Sequence, residues 1–295
     1  MLIRKPNPMK VYAIKKNDFF EDQLDSIDNL KIIEDEADFI WIDAVNLNSI
    51  ELEFVSQLLG KDLKTLELIQ NGLPLTRSRN INNLTIMSFS VVSWTEKIQA
   101  YPVYIFVGKK TLWTFRTTES SEPADYVLQN LRSTSRMTPI KLLNELLLEI
   151  ANSNLEVLVK LREIIESLEE KAIDEPSNKQ IMKKVFDLKR QLAHFYRLVS
   201  SEEQLITELK DGFIPRIRVG KSELAVLNDS LSSLSQELEF LNYYDSSLDG
   251  ILRLQELGSI HKLDVRVINL TIIIAVLTIL ILLIDIGLLD LLLGR

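Results

Sequence analysis

From Val267 to Leu293 the chain is almost wholly apolar, with acidic side chains only at Asp285 and Asp290. The uncharged part of this run, Val267 to Ile284, rises ~27 Å as an α-helix, close to the thickness of a bilayer's hydrocarbon core. One transmembrane helix is therefore expected over 267–293. A second span would need about 20 further apolar residues, and none is expected before Arg295. His261, Lys262 and Arg266 precede the run and only Arg295 follows, so the positive-inside bias places the preceding body in the cytoplasm. Met1 to Asn17 is basic and interrupted by Pro6 and Pro8, without the apolar core of a signal peptide. The expectation is a single-pass protein of the cell membrane with a cytoplasmic N-terminal body.

Several function classes are disfavoured by composition. There is no cysteine, which removes disulfides and thiolate metal sites, and two histidines (His194 and His261) are too few for a histidine-based zinc centre. A net charge of −8 argues against nucleic acid as a partner and is compatible with attracting cations. Gly220-Lys221-Ser222 imitates the end of a phosphate-binding loop, but Pro215 stands at its first glycine and no strand precedes it; Ser222 is a candidate helix N-cap instead. Gly108-Lys109-Lys110-Thr111 fails similarly, with Val103 at the required glycine. The acidic run Glu163, Glu166, Glu169, Glu170, Asp174 and Glu175 reads as a solvated helix end, the alternative being a charge that draws cations. No arrangement of nucleophile and base, or of paired carboxylates, is supported, so neither an enzyme nor an organic cofactor is expected.

The pattern changes near residue 136. Before it, Val11 to Ile14, Phe39 to Ile42, Leu84 to Val92, Val103 to Phe106 and Leu112 to Phe115 are rich in β-branched and aromatic residues and read as strands. Ser49 to Leu59 and Leu63 to Gln70 read as helices, and Gly108-Lys109-Lys110 as a hairpin turn. Beyond Met137 the spacing is helical, broken only at Asp174-Glu175-Pro176 and at Asp211 to Pro215. Leu224, Leu227, Leu231, Leu234, Leu238, Leu241, Leu248 and Leu252, with Asp245 in one slot, form a heptad seam. No proline interrupts it, so one helix of ~95 Å is expected from about Ser222 into the bilayer. The seam serves either an intramolecular hairpin or a self-associating coiled-coil stalk. The expected divisions are 1–135 for an α/β domain, 136–215 for two long helices, 216–266 for a stalk helix and 267–293 for the membrane helix.

Local signals along this frame carry a resemblance. They are Trp41-Ile42-Asp43, Leu58-Leu59-Gly60, the hairpin Ile105 to Leu112, Phe186-Asp187-Leu188-Lys189-Arg190-Gln191-Leu192, and Leu270-Thr271-Ile272-Ile273. In order and spacing, over roughly residues 10–290, they resemble the CorA family of divalent-cation channels. The resemblance implies an α+β or α/β cytosolic domain, a long helical stalk, a funnel assembled as a homopentamer, and passive movement of Mg²⁺, Co²⁺, Ni²⁺ or Zn²⁺. Its register places Val267, Leu270, Ile274, Thr278, Ile281 and Asp285 on the pore face, stacking in a pentamer a ring of hydroxyls and a ring of carboxylates, and an acidic ring admits cations; the alternative for Asp285 is an ordinary carboxylate at the outer membrane interface. The family's Gly-Met-Asn signature falls on Leu288, Leu289 and Asp290, so only a polar group at the asparagine position is kept. A regulatory cation ligand in the family corresponds to Asp229, off the seam, with its partner position at Asn82 or Asn83, where an amide replaces the family's carboxylate; the alternative for Asp229 is a solvated helix residue. Asn269-Leu270-Thr271 matches a glycosylation sequon but lies within the membrane run. The alternative to a channel is a non-conducting subunit tethered to the lipid membrane that modulates a full-length CorA-like partner or serves as a scaffold.

Overall fold

In the computed structural model, residues 9–24, 27–47, 49–59, 78–81, 84–134, 136–214 and 217–292 are described. The expected helix Leu63 to Gln70 and the Asn82–Asn83 position lie outside them.

The N-terminal part is a seven-stranded sheet in the order β2-β1-β3-β7-β6-β5-β4. Its strands are β1 (Met9–Lys15), β2 (Asp18–Leu24), β3 (Phe39–Val45), β4 (Ser78–Ile81), β5 (Leu84–Trp94), β6 (Ile98–Val107) and β7 (Thr111–Arg116). All neighbours are antiparallel except β3 and β7. Helices α1 (Ile27–Glu36), α2 (Ser49–Leu59) and α3 (Glu122–Leu131) accompany the sheet. A central strand covered on both sides reads as a continuous apolar run, and Phe39-Ile40-Trp41-Ile42 are all fully buried. The Gly108 hairpin closes through the Gly108 N–H donating to the Thr111 carbonyl at 2.8 Å.

Strands β2 and β4 and helices α1 and α3 were not legible from periodicity. Strand β2 is a polar edge strand, mostly exposed. It is fixed by the turn before it, where Lys16 and Asn17 both take positive φ, 52° and 73°, as the tight hairpin turns that match strand twist require.

Three long helices follow: α4 (Pro139–Asp174), α5 (Lys179–Lys210) and α6 (Lys221–Leu292). Each boundary has a local cause. Helix α4 starts with Pro139 after Thr138, whose hydroxyl accepts from the Lys141 N–H at 3.1 Å. Helix α5 is capped by Asn178, whose side-chain oxygen accepts from the Gln180 N–H at 2.8 Å. It ends at Gly212, φ 76°, with the Phe213 N–H returning to the Glu208 carbonyl and the Gly212 N–H to Leu209. Ser222 is not the N-cap of α6. The helix begins one residue earlier, and Glu223 reaches back to the Gly220 N–H at 2.6 Å.

The chain forms two compact units, residues 1–162 with 190–243, and residues 163–189 with 244–295. The first holds the sheet and the adjoining parts of α4, α5 and α6. The second holds the α4–α5 turn and the rest of α6.

The seam of α6 is rotated from its expected position. The buried positions are Leu227, Ser230, Leu234, Glu237, Leu241, Tyr244, Leu248, Ile251 and Gln255, again at alternating steps of three and four. Leu224, Leu231, Leu238, Asp245 and Leu252 are only half-buried at its flank. The reason is chemical: leucine count alone favours the flank, but Ser230, Glu237 and Gln255 take core slots because neighbouring helices supply hydrogen bonds to the last two.

Candidate functional site

Among the described residues, α6 is the one helix long and apolar enough to cross a membrane, and none of its apolar window is buried within the chain. The described side chains from Val267 to Ile284 are exposed on every side of the helix, the large apolar ones about half or more. A contiguous apolar surface of this extent is far larger than soluble monomers display, and it marks a membrane or assembly surface.

Val267, Leu270, Ile274, Thr278, Ile281 and Asp285 all lie on this continuous helix and all are exposed. At 100° per residue their steps of three and four keep them within one stripe. The Thr278 hydroxyl donates to the Ile274 carbonyl at 2.8 Å, as Thr271 does to Val267. With the proton so committed, the lone pairs of the Thr278 oxygen remain as acceptors, the polarity a hard cation requires. Leu288, Leu289 and Asp290 continue the helix, and their side chains lie outside what is described. Asp229, in the first unit, is exposed and off the buried seam. Among the described residues no group of three His, Cys, Asp or Glu side chains is placed to hold a metal.

The sheet carries a polar centre that strand reading missed. Arg116, at the end of β7, donates from Nε and Nη2 to the two Asp43 oxygens of β3 at 2.9 and 2.7 Å, and from Nη2 to Asp125 of α3 at 3.0 Å. Thr114 donates to Asp43 at 2.6 Å, and the Trp41 indole donates to Thr114 at 2.9 Å. Burial opposes the Arg116 charge, but Asp43 and Asp125 more than offset it and raise its pKa. Burial, with the Asp43 and Glu21 carboxylates, also pushes the Tyr12 phenol up. This ties together the parallel pair β3–β7 and α3, which is a structural role.

Two buried carboxyls lie among the helices of the first unit. Glu202 of α5 accepts from the Ser90 N–H at 2.7 Å, and burial pushes its pKa up to about 8. Glu237 of α6 accepts from Asn154 Nδ2 of α4 at 3.0 Å; burial, with Glu202 nearby, pushes it up to about 9. Glu237 Oε1 and Asn154 Oδ1 have no hydrogen-bond partner among the described residues. The signal was present in the sequence, because Glu237 and Gln255 fall on the steps of seven and ten set by Leu227, Leu234, Leu241 and Leu248.

Residues 36–282 match the family model described as CorA-like Mg²⁺ transporter protein. A search of curated proteins finds no match. Among solved structures, the complete CorA magnesium transporter from Methanocaldococcus jannaschii is similar with a TM-score of 0.72 at 17% identity, covering 88% of this chain and 80% of that one. The soluble domain of CorA from the same organism gives 0.69 at 18% identity, covering 85% and 98%. The full-length CmaX protein gives 0.74 at 11% identity, covering 92% and 84%. At these identities the structures speak for the fold alone. The family match extends over most of the chain and is one of transporters rather than enzymes: this protein belongs to the CorA-like Mg²⁺ transporter family.

Proposed function

We propose that the chain assembles through α6 into a homo-oligomer, a pentamer, in the cell membrane and forms the wall of an axial path for passive movement of Mg²⁺ or another divalent cation such as Co²⁺, Ni²⁺ or Zn²⁺. The observation that carries this reading is the exposed apolar length of α6 with Thr278 and Asp285 on one stripe, in a chain of the CorA-like family. Val267, Leu270, Ile274 and Ile281 form the apolar part of the path, and Leu288, Leu289 and Asp290 its mouth. The sheet body is cytoplasmic and α6 crosses once. The functional divisions are 1–135, 136–215, 216–266 and 267–293. Asp229 is a regulatory cation ligand facing a neighbouring subunit.

A ring of Asp285 carboxylates concentrates cations at one end of the path, and Thr278 hydroxyl oxygens replace part of the hydration shell. Mg²⁺ gives up water reluctantly, so the apolar stretch between favours passage with most of that shell kept. Leu288, Leu289 and Asp290 at the Gly-Met-Asn register favour a second reading, a non-conducting CorA-like regulatory or scaffold subunit tethered to the membrane. Reconstitution of the purified chain alone into liposomes, with Mg²⁺, Co²⁺ and Ni²⁺ entry followed by a trapped indicator, separates the two. Entry above empty liposomes supports the channel; none, from a folded oligomer, supports the regulatory subunit.

A further inference from the structure

Gln255 occupies the heptad slot that follows Leu227, Leu234, Leu241 and Leu248, and it is fully buried. A leucine there would extend the apolar seam. Instead the amide makes three bonds to main-chain groups on both sides of the α4–α5 turn. Its Nε2 donates to the carbonyls of Ala172 at 3.0 Å and Glu175 at 3.2 Å. Its Oε1 accepts from the Asn178 N–H at 2.6 Å. The two carbonyls lie at the C-terminal end of α4, where helical partners run out, and Asn178 is the cap of α5. One side chain thus completes the end of one helix and the start of the next.

Two further turns of α6 hold the same loop. A Cβ added at Gly258 would stand 2.5 Å from Pro176 Cβ and 3.1 Å from its Cα, so only glycine admits this approach. Lys262 Nζ donates to the Pro176 carbonyl at 2.7 Å. The loop itself is set by Ser177 at φ 61° and by Asn178 Nδ2 donating to the Glu175 carboxylate. Rotating α6 by one residue swings Gln255 through 100°, and sliding it by one residue moves it 1.5 Å; either would break all three amide bonds. The apolar run begins at Val267, five residues or ~7.5 Å beyond Lys262.

We propose that Gln255, with Gly258, is a positioning residue for transport: it pins the rotation and axial register of α6 against the α4–α5 turn just before the bilayer, and so sets which face of the membrane helix lines the path. This rests on the channel reading above. Seam leucines hold a helix with little directional preference, because apolar contact is non-directional. Three hydrogen bonds and a glycine-only contact fix one register.

The absence of cysteine makes the test clean. Single cysteines at successive positions from Val267 to Thr278, in full-length chain in liposomes, are titrated with a water-soluble thiol reagent to map the water-facing side. In Gln255→Leu and in Gly258→Ala that pattern shifts or flattens; an unchanged pattern overturns the proposal whether or not the chain conducts. Flux is the second readout: Gln255→Leu lowers Mg²⁺ and Co²⁺ entry about tenfold or more, as misplacements of about 1 Å do at other sites. Absence of flux from the unmodified chain, with the labelling pattern still shifted by Gln255→Leu, refutes the channel reading and leaves the pin standing.

Discussion

Glu237→Gln should make this protein more stable at neutral pH, and the reason can be worked from the buried helices. Glu237 is fully buried, accepts one hydrogen bond from Asn154, and has another buried carboxyl, Glu202, nearby. Its folded pKa of about 9 lies above the ordinary 4.5, and that of Glu202 at about 8 does too. The folded body therefore binds protons that the unfolded chain has already released. Stability from these neutral carboxyls is fully present below about pH 4.5 and is lost as pH rises through about 8 and 9. Each pH unit above 4.5 favours the unfolded carboxylate by about 1.4 kcal/mol, which at pH 7 amounts to about 3 kcal/mol. Glutamine keeps the shape, releases no proton, and offers an N–H where Glu237 Oε1 and Asn154 Oδ1 lack partners among the described residues. The substitution should be nearly neutral near pH 4.5 and stabilising by about 3 kcal/mol at pH 7, or about 6–12 °C in Tm at 2–4 °C per kcal/mol. Thermal unfolding of full-length protein in detergent, followed by circular dichroism from pH 5 to 8.5, measures this. A Glu237→Gln protein that melts lower than the parent at pH 7, or a difference that does not grow with pH, would mean that the carboxyl is ionised and paired, and the reasoning would fail.

The rotated seam makes a paired prediction: Leu241→Ala should cost about 2–5 kcal/mol and Leu238→Ala about 1 kcal/mol or less, as read from denaturation midpoints, with the reverse ranking restoring the flank as core. Arg116→Met leaves Asp43 buried with its charge uncompensated, so a loss of about 3–5 kcal/mol is expected; unchanged thermal stability would show the pair to be dispensable. For transport, Asp285→Asn should lower cation entry into liposomes by about tenfold through loss of the focusing charge, and equal entry by both proteins would remove the acidic ring from the mechanism.

The body of this protein is legible in its sequence to unequal degrees. Apolar periodicity marks α4, α5 and α6 because each keeps one face buried over many turns, and the breaks at Pro176 and Gly212 are local chemistry. Strand β3 is equally plain, since a strand covered on both sides is apolar throughout. Strand β2 left no such trace, because an edge strand with one partner keeps polar side chains and is specified by the turn at Lys16 and Asn17. The Asp43–Arg116 centre was invisible for a related reason: its members are 73 residues apart in sequence, and only the parallel pairing of β3 with β7 brings them together.

By itself the sequence determined the long apolar C-terminal helix, the helical stretch before it and the resemblance that the family match bears out, because hydropathy, spacing and motif order are properties of the chain read locally. The tertiary structure decided which stripe of α6 is core. That choice turns on Glu237 and Gln255, polar residues that belong inside only if other helices meet them with the right atoms. Asn154 meets the first, and the carbonyls and N–H of the α4–α5 turn meet the second. The free energy of burying a polar group depends on partners distant in sequence, so no reading of α6 alone could have set its rotation.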